Sequence, residues 1–126
     1  MIELHCWITI RADYNSDNEC NENVLRLIKN ELDTHHYNSI EIKAMNGEYY
    51  IEFSLYANHF SQDTKELLHL FVYIGRIAVG SYGLLYLHND ESDTSGNSFR
   101  IYSLAKGVVN VHDDPFLSPC IPTIEE

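Results

Sequence analysis

Residues 74 to 91 read Ile-Gly-Arg-Ile-Ala-Val-Gly-Ser-Tyr-Gly-Leu-Leu-Tyr-Leu-His-Asn-Asp-Glu. Within that one run a helix ends, the chain turns, a strand begins and an acidic loop follows. Upstream, Leu67, Leu68, Leu70, Phe71, Ile74 and Ile77 recur at helical spacing behind a good N-cap residue, Ser61. These are too many apolar positions for a surface element, so the helix must lie deep against another layer. Downstream, Gly80 and Gly83 bracket the reversal, supplying backbone freedom, and Leu84 to His88 forms the strand. A buried helix feeding directly into a strand points to helices packed on a sheet.

The remaining elements fall on either side of this junction. Ile2, Leu4, Cys6, Ile8 and Ile10 alternate with Glu3, His5, Trp7, Thr9 and Arg11, the period-two pattern of a strand with one buried face. Ser16 with Glu19 three residues on resembles a capping box, and Val24, Leu25, Leu27, Ile28 and Leu32 follow at helical spacing. They predict a first helix from about Asp17 or Asn21 to His35. Strand-like runs over 39–45 and 48–57 flank Asn46-Gly47, a dipeptide suited to a type I′ hairpin because both central residues need positive φ. The segment 90–97, rich in Asp, Ser and Gly, reads as a loop, and 99–105 with 108–111 as a closing hairpin turning near Lys106-Gly107. Pro115, Pro119 and Pro122 rule out a helix at the end, which is expected to pack as an irregular tail with Phe116 anchoring it into the core. The order β-α-β-β-α-β-β-β predicts an α+β fold: an antiparallel sheet with two helices packed on one face, its first six elements in a split β-α-β arrangement.

A chain of 126 residues is expected to form a single domain over 1–126, with a core that needs no staple. Eight Lys and Arg against nineteen Asp and Glu leave a formal charge of −11, which repels phosphate backbones and anionic headgroups and argues against nucleic-acid or membrane partners. Such a charge suits a basic protein partner, and it equally suits plain solubility. Cys6, Cys20 and Cys120 are odd in number and widely spaced, fitting neither a disulfide framework nor a zinc motif, as expected of a reduced cytoplasmic protein. The alternating start is unlike a signal peptide, and no run approaches the roughly 20 apolar residues of a membrane span.

Three segments carry a family resemblance: His5-Cys6-Trp7-Ile8-Thr9-Ile10-Arg11, the run from Ile74 to Glu91 with Gly80-Ser81-Tyr82-Gly83-Leu84-Leu85-Tyr86 at its centre, and Asp113-Asp114-Pro115-Phe116-Leu117-Ser118-Pro119-Cys120-Ile121-Pro122. Together they resemble the immunity protein seven family of bacterial polymorphic toxin systems. The segments span the chain in order. The family pattern has a small residue, usually glycine, between His5 and Trp7, where this chain has Cys6. The resemblance implies a protein that binds and silences a toxin domain encoded beside it, similar in role to the acidic colicin immunity proteins. It also places Asp90-Glu91 and Asp114-Pro115-Phe116 within recurring segments.

The residues themselves offer little for catalysis. His35-His36, His59, His69 and His88 show no zinc spacing, and histidines at a helix C-terminus complement its negative end. Ser81 superficially suggests a hydrolase elbow, but it sits on a helix-to-strand turn with a glycine directly before it, the wrong spacing and direction for that motif. The glycines precede no helix and have no lysine near, so they make no phosphate cradle. Asp90, Glu91 and Asp93, with Asp113 and Asp114, are solvated loop acids by default and interface charges if the resemblance holds. Trp7, Tyr50 and Tyr56 fall on strand faces that periodicity assigns outward; they are core if helices cover that face and contact area if they do not.

The expectation is therefore a non-enzymatic immunity protein without metal or cofactor. Its partner is the C-terminal domain of a cognate toxin, with a nuclease as one candidate, and Asp90, Glu91, Asp93, Asp113, Asp114, Tyr50, Tyr56 and Trp7 are the candidate toxin-binding residues. A generic acidic interaction module or nucleic-acid mimic is the alternative, and a small hydrolase or metal enzyme built on the histidines a third. Replacing all three cysteines by serine or alanine should leave protection against the toxin intact in a variant that circular dichroism shows to be folded; lost protection would mean that a thiol takes part.

Overall fold

The computed structural model describes residues 1–13, 18–35, 40–91 and 98–117, and the side chains of these apart from 18–20. The Ser16–Glu19 capping box, His36, Asp93, Cys120, Pro119, Pro122 and the side chain of Cys20 lie outside the described residues. The elements are β1 (Ile2–Ile10), α1 (Asn18–Thr34), β2 (Ile42–Met45), β3 (Glu48–Ala57), α2 (Gln62–Ile77), β4 (Tyr82–Asn89), β5 (Arg100–Ala105) and β6 (Val108–Asp113). The fold is α+β, in the order that the hydrophobic periods predict.

β1 sits inside a six-stranded sheet of order β2-β3-β1-β4-β5-β6, antiparallel throughout. Each helix connection skips one strand: α1 carries the chain from β1 to β2 past β3, and α2 carries it from β3 to β4 past β1. This is the split β-α-β arrangement, with the β5-β6 hairpin added beyond β4. Both two-residue turns are as their sequences require, with Asn46 at φ 53°, Gly47 at 81°, Lys106 at 53° and Gly107 at 73°.

The even-numbered face of β1 carries the core. Ile2, Leu4, Ile8 and Ile10 are essentially inaccessible, and across the sheet Ile51, Phe53, Leu85 and Leu104 join them. Val24, Ile28 and Leu32 of α1 and Leu67, Leu70, Phe71 and Ile74 of α2 close the same cluster. Fully burying each such side chain is worth roughly 1.5–3 kcal/mol. Both helices therefore cover one face of the sheet. Cys6 lies in this core as a free thiol, and burial pushes its pKa well up, leaving it an inert packing residue.

β4 begins at Tyr82, two residues before the expected start, because Tyr82 already pairs with Thr9. The glycines around that start serve a purpose other than the one expected of them. Neither Gly80 nor Gly83 has positive φ; each instead occupies a site with no room for a side chain. A Cβ on Gly83 would stand 2.2 Å from the Trp7 carbonyl oxygen, and one on Gly80 would stand 2.1 Å from that of Asp13. Ser81 between them is buried. Its hydroxyl accepts from the Arg11 N–H at 3.0 Å and donates to the Arg11 carbonyl at 3.3 Å, so the serine stitches the end of β1 to the start of β4 and has no free role as a nucleophile.

Gly83→Ala should therefore cost about 3 kcal/mol or more, since backbone must move to make room. Gly47→Ala should cost only about 1 kcal/mol, from left-handed φ in open space. Urea unfolding of the two variants measures the difference, and equal costs would mean that the β1–β4 contact yields easily.

Candidate functional site

Among the described residues, the odd-numbered face of β1 has no helix on it. Strand register sets out what lies there in rows across the sheet: Lys43, Tyr50, Thr9 and Tyr82; then Glu52, Trp7, Leu84 and Ser103; then Ser54, His5, Tyr86 and Ile101; then Tyr56, Glu3 and His88. β4 supplies apolar or aromatic residues to both faces, as a strand flanked by neighbours can, so the helix-free face carries Tyr82, Leu84 and Tyr86. Trp7 is 38% exposed and Tyr56 66%. Trp7 is thus not core. It meets the Tyr82 ring edge-on at 6.2 Å, and the Arg11 guanidinium stands 5.9 Å over the same ring while pairing with Glu48.

At the end of the sheet where β1 begins and β4 ends, this face deepens into a groove of about 840 Å³. Leu84, Tyr86, Phe99 and Ile101 form its apolar lining, and Met1, Phe116 and Leu117 stand at its margin. Its polar groups are Glu3, His5, His88, Asp90 and Asp114. A shallower depression of about 300 Å³ adjoins it, sharing His5 and Tyr86 and reaching Trp7 and Glu52. The two make one concave strip along the uncovered sheet.

The carboxylates of the strip are held in place. Glu3 Oε2 is 2.6 Å from His5 Nε2 and accepts from the Tyr56 hydroxyl at 3.4 Å; the His5 and Tyr56 rings meet edge to face at 5.6 Å. Asp90 accepts from the Met1 α-amino group at 2.6 Å, and its own N–H donates to the Met1 carbonyl at 3.2 Å. Glu91 Oε1 lies 2.7 Å from His59 Nδ1, tying the loop after β4 to the loop after β3. Asp114 is buried, at 6% exposure. Its two carboxylate oxygens accept from the N–H groups of Phe116 at 3.0 Å and Leu117 at 2.9 Å.

The structure thus gathers Tyr56, Asp90, Glu91 and Asp114 at one end of the sheet, with Trp7 in the middle; Asp113 on β6 is exposed at the same end, but its register with Arg100 and Leu87 puts it on the helix-covered face. Tyr50 stands at the opposite end, half-buried in the row of Thr9 and Tyr82. Asp114 departs from a solvated loop acid in that its carboxylate holds the turn. The expectation that Phe116 anchors into the core is overturned: it is 86% exposed and Leu117 61%, because the Asp114-capped turn directs them outward. Glu3, His5, Tyr82, Leu84, Tyr86, Phe99 and Ile101 were not singled out from sequence, although the odd register of β1 and the two-faced apolarity of β4 carry the signal for most of them.

Among the described residues no group of three or more His, Cys, Asp or Glu is placed to hold a metal ion. Ser103 and His112 are hydrogen-bonded at 2.8 Å, with no carboxylate orienting that histidine among the described residues. His35 pairs with Glu31 at 2.9 Å on α1. No described helix is long and apolar enough to cross a membrane.

The Met1 ammonium, chiefly through its hydrogen bond, holds the Asp90 carboxyl below the usual carboxylate range. A folded pKa below the unfolded value of about 3.9 means that the pair stabilises the fold above that pH and stops doing so as pH falls through the depressed value. Asp90→Asn should show a small deficit in urea midpoint at about pH 7, exposed pairs being weak, and that deficit should close as pH falls through the depressed value. A deficit unchanged by acid would show that the pair contributes nothing through its charge.

Against known proteins, the family model described as immunity protein 7 matches residues 1–126, the whole chain. No curated protein and no solved structure gives a significant match.

Proposed function

The chain belongs to the immunity protein 7 family, and from that membership we propose that it binds and neutralises the toxin domain encoded beside it, in the cytosol of the producing cell. The 1–126 chain acts as one domain and as an inhibitor, with no cofactor and no catalytic step of its own. The observation that carries the reading is the helix-free sheet face, where Trp7, Tyr56, Tyr82 and Tyr86 lie in a strip bordered by carboxylates. Aromatic area with matched charge is what a desolvated protein interface uses. A soluble chain that leaves such a face open has a use for it.

In this mechanism Asp90 and Glu91 steer a basic toxin surface onto the strip, with Asp93 and, at the same end of the sheet, Asp113 adding to the attracting charge. Trp7, Tyr50 and Tyr56 supply contact area, and the complex occludes a substrate-binding or catalytic region of the toxin. A nuclease fits best, because an enzyme that grips nucleic acid is basic, while this chain at −11 repels nucleic acid itself.

Co-purification with the product of the adjacent reading frame tests the assignment. Its kinetics test the mechanism: association should slow as salt rises while dissociation changes less, since steering is screened within about 10 Å at 0.1 M ionic strength. Reversing Asp90 and Glu91 to lysine should slow association further, and reversing Glu22 and Glu31 on α1 should do little. An association rate flat in salt would reduce the −11 charge to a matter of solubility, and a chain that ignores its neighbour's product would favour the generic acidic module.

A further inference from the structure

Phe116 and Leu117 are held in the open by a buried group. Asp114 gives up solvation to accept both of their N–H groups, one on each carboxylate oxygen, and its own N–H donates to the Phe99 carbonyl at 3.1 Å at the groove's edge. Burying a carboxylate is costly unless it is fully hydrogen-bonded. The result of that arrangement is a fixed turn with two large apolar side chains facing water, which gives the fold no packing in return. They stand at the margin of the groove floored by Tyr86, Phe99 and Ile101. Its lining holds the carboxylates of Glu3, Asp90 and Asp114 against the Met1 ammonium paired with Asp90 and, among the described residues, no lysine or arginine.

We infer that Phe116 and Leu117 are the apolar anchor of the interface, a pre-set clip at the groove that holds a toxin segment bearing an apolar or aromatic side chain flanked by lysine or arginine. The inference rests on the immunity reading and deepens it by naming where the toxin is held. Charge complementarity selects this occupant: the apolar floor takes the uncharged side chain, and Glu3 and Asp90 at the wall take the flanking cations on the carboxylate oxygens that their pairs with His5 and Met1 do not use. The strip is long and open, running on past His5 to Trp7, which suits a polypeptide better than an enclosed small molecule. Asp114 is a positioning residue in this scheme. It does not reach the partner; it fixes the turn before binding, so that ordering the clip costs little at the moment of association.

The test uses the full chain and the catalytically inactivated toxin domain encoded beside it, with affinity and rates measured by surface plasmon resonance. Phe116→Ala should weaken binding by about tenfold or more, mostly through faster dissociation, without change in melting temperature, because the side chain is already exposed. Val111→Ala, which truncates an exposed apolar side chain on the opposite face of the sheet, should change affinity little. Asp114→Asn keeps one acceptor of the two and should weaken binding by an intermediate factor. In the Phe116→Ala, Leu117→Ala background that effect should vanish, which a merely structural role for Asp114 would not produce. Wild-type binding that survives Phe116→Ala and Leu117→Ala undiminished overturns the inference and leaves the immunity reading standing. Failure of the wild-type chain to bind the toxin domain removes both. Self-association in sedimentation that Phe116→Ala abolishes would make a second copy the occupant, and would overturn the inference as well.

Discussion

The structure depends on the double pairing of β1. Hydrogen-bonded along its length to β3 on one side and β4 on the other, it cannot turn a face aside, so its alternation is imposed on the whole sheet. Ile2, Leu4, Cys6, Ile8 and Ile10 commit one face to the helices, and Glu3, His5, Trp7 and Thr9 are thereby committed to the other. Gly83 marks how close that pairing is, its missing side chain leaving room for the Trp7 carbonyl. The pairing that builds the core therefore also places the tryptophan outside it.

What could be read in advance follows from the range of the physics. The β1 alternation, the Asn46-Gly47 and Lys106-Gly107 turns and the Ser61 helix start are local, carried by a few adjacent residues, and their positions were legible. The face of Trp7 was not, because it depends on which side both helices choose, and that follows from chain crossovers over β3 and β1. Gly80 and Gly83 were legible as necessary glycines but for the wrong reason, since a close approach by another strand leaves no local trace. The ion pairs of Asp90 and Glu91 were equally hidden. Their partners, Met1 and His59, lie far off in sequence and meet them only because β1 begins where β3 and β4 end.

Asp114 shows how a short motif can mislead. Beside proline, an aspartate suggests a solvated turn and a phenylalanine suggests burial. Here the polar residue is buried and the aromatic one exposed. The inversion is local in cause: Asp114 satisfies the two N–H groups that follow Pro115, and proline fixes the path between them. Only the direction in which the turn aims its side chains depends on the sheet beneath.

An uncovered aromatic face is a hazard to a soluble protein, because it can bind its own kind as readily as a partner. A formal charge of −11 opposes that, since two copies repel each other at every approach, and it leaves the face open to a surface of opposite sign. Charge and apolar area then govern different steps. Under the proposed function, carboxylates act at a distance and set how often a basic partner arrives, while buried side chains act only on contact and set how long it stays. For a cell that makes a toxin and its inhibitor together, slow arrival would leave the toxin free to act and early departure would release it again. A sheet whose one face is wholly committed to the core has its other face free to carry both kinds of group, and the register of β1 is what keeps the two commitments apart.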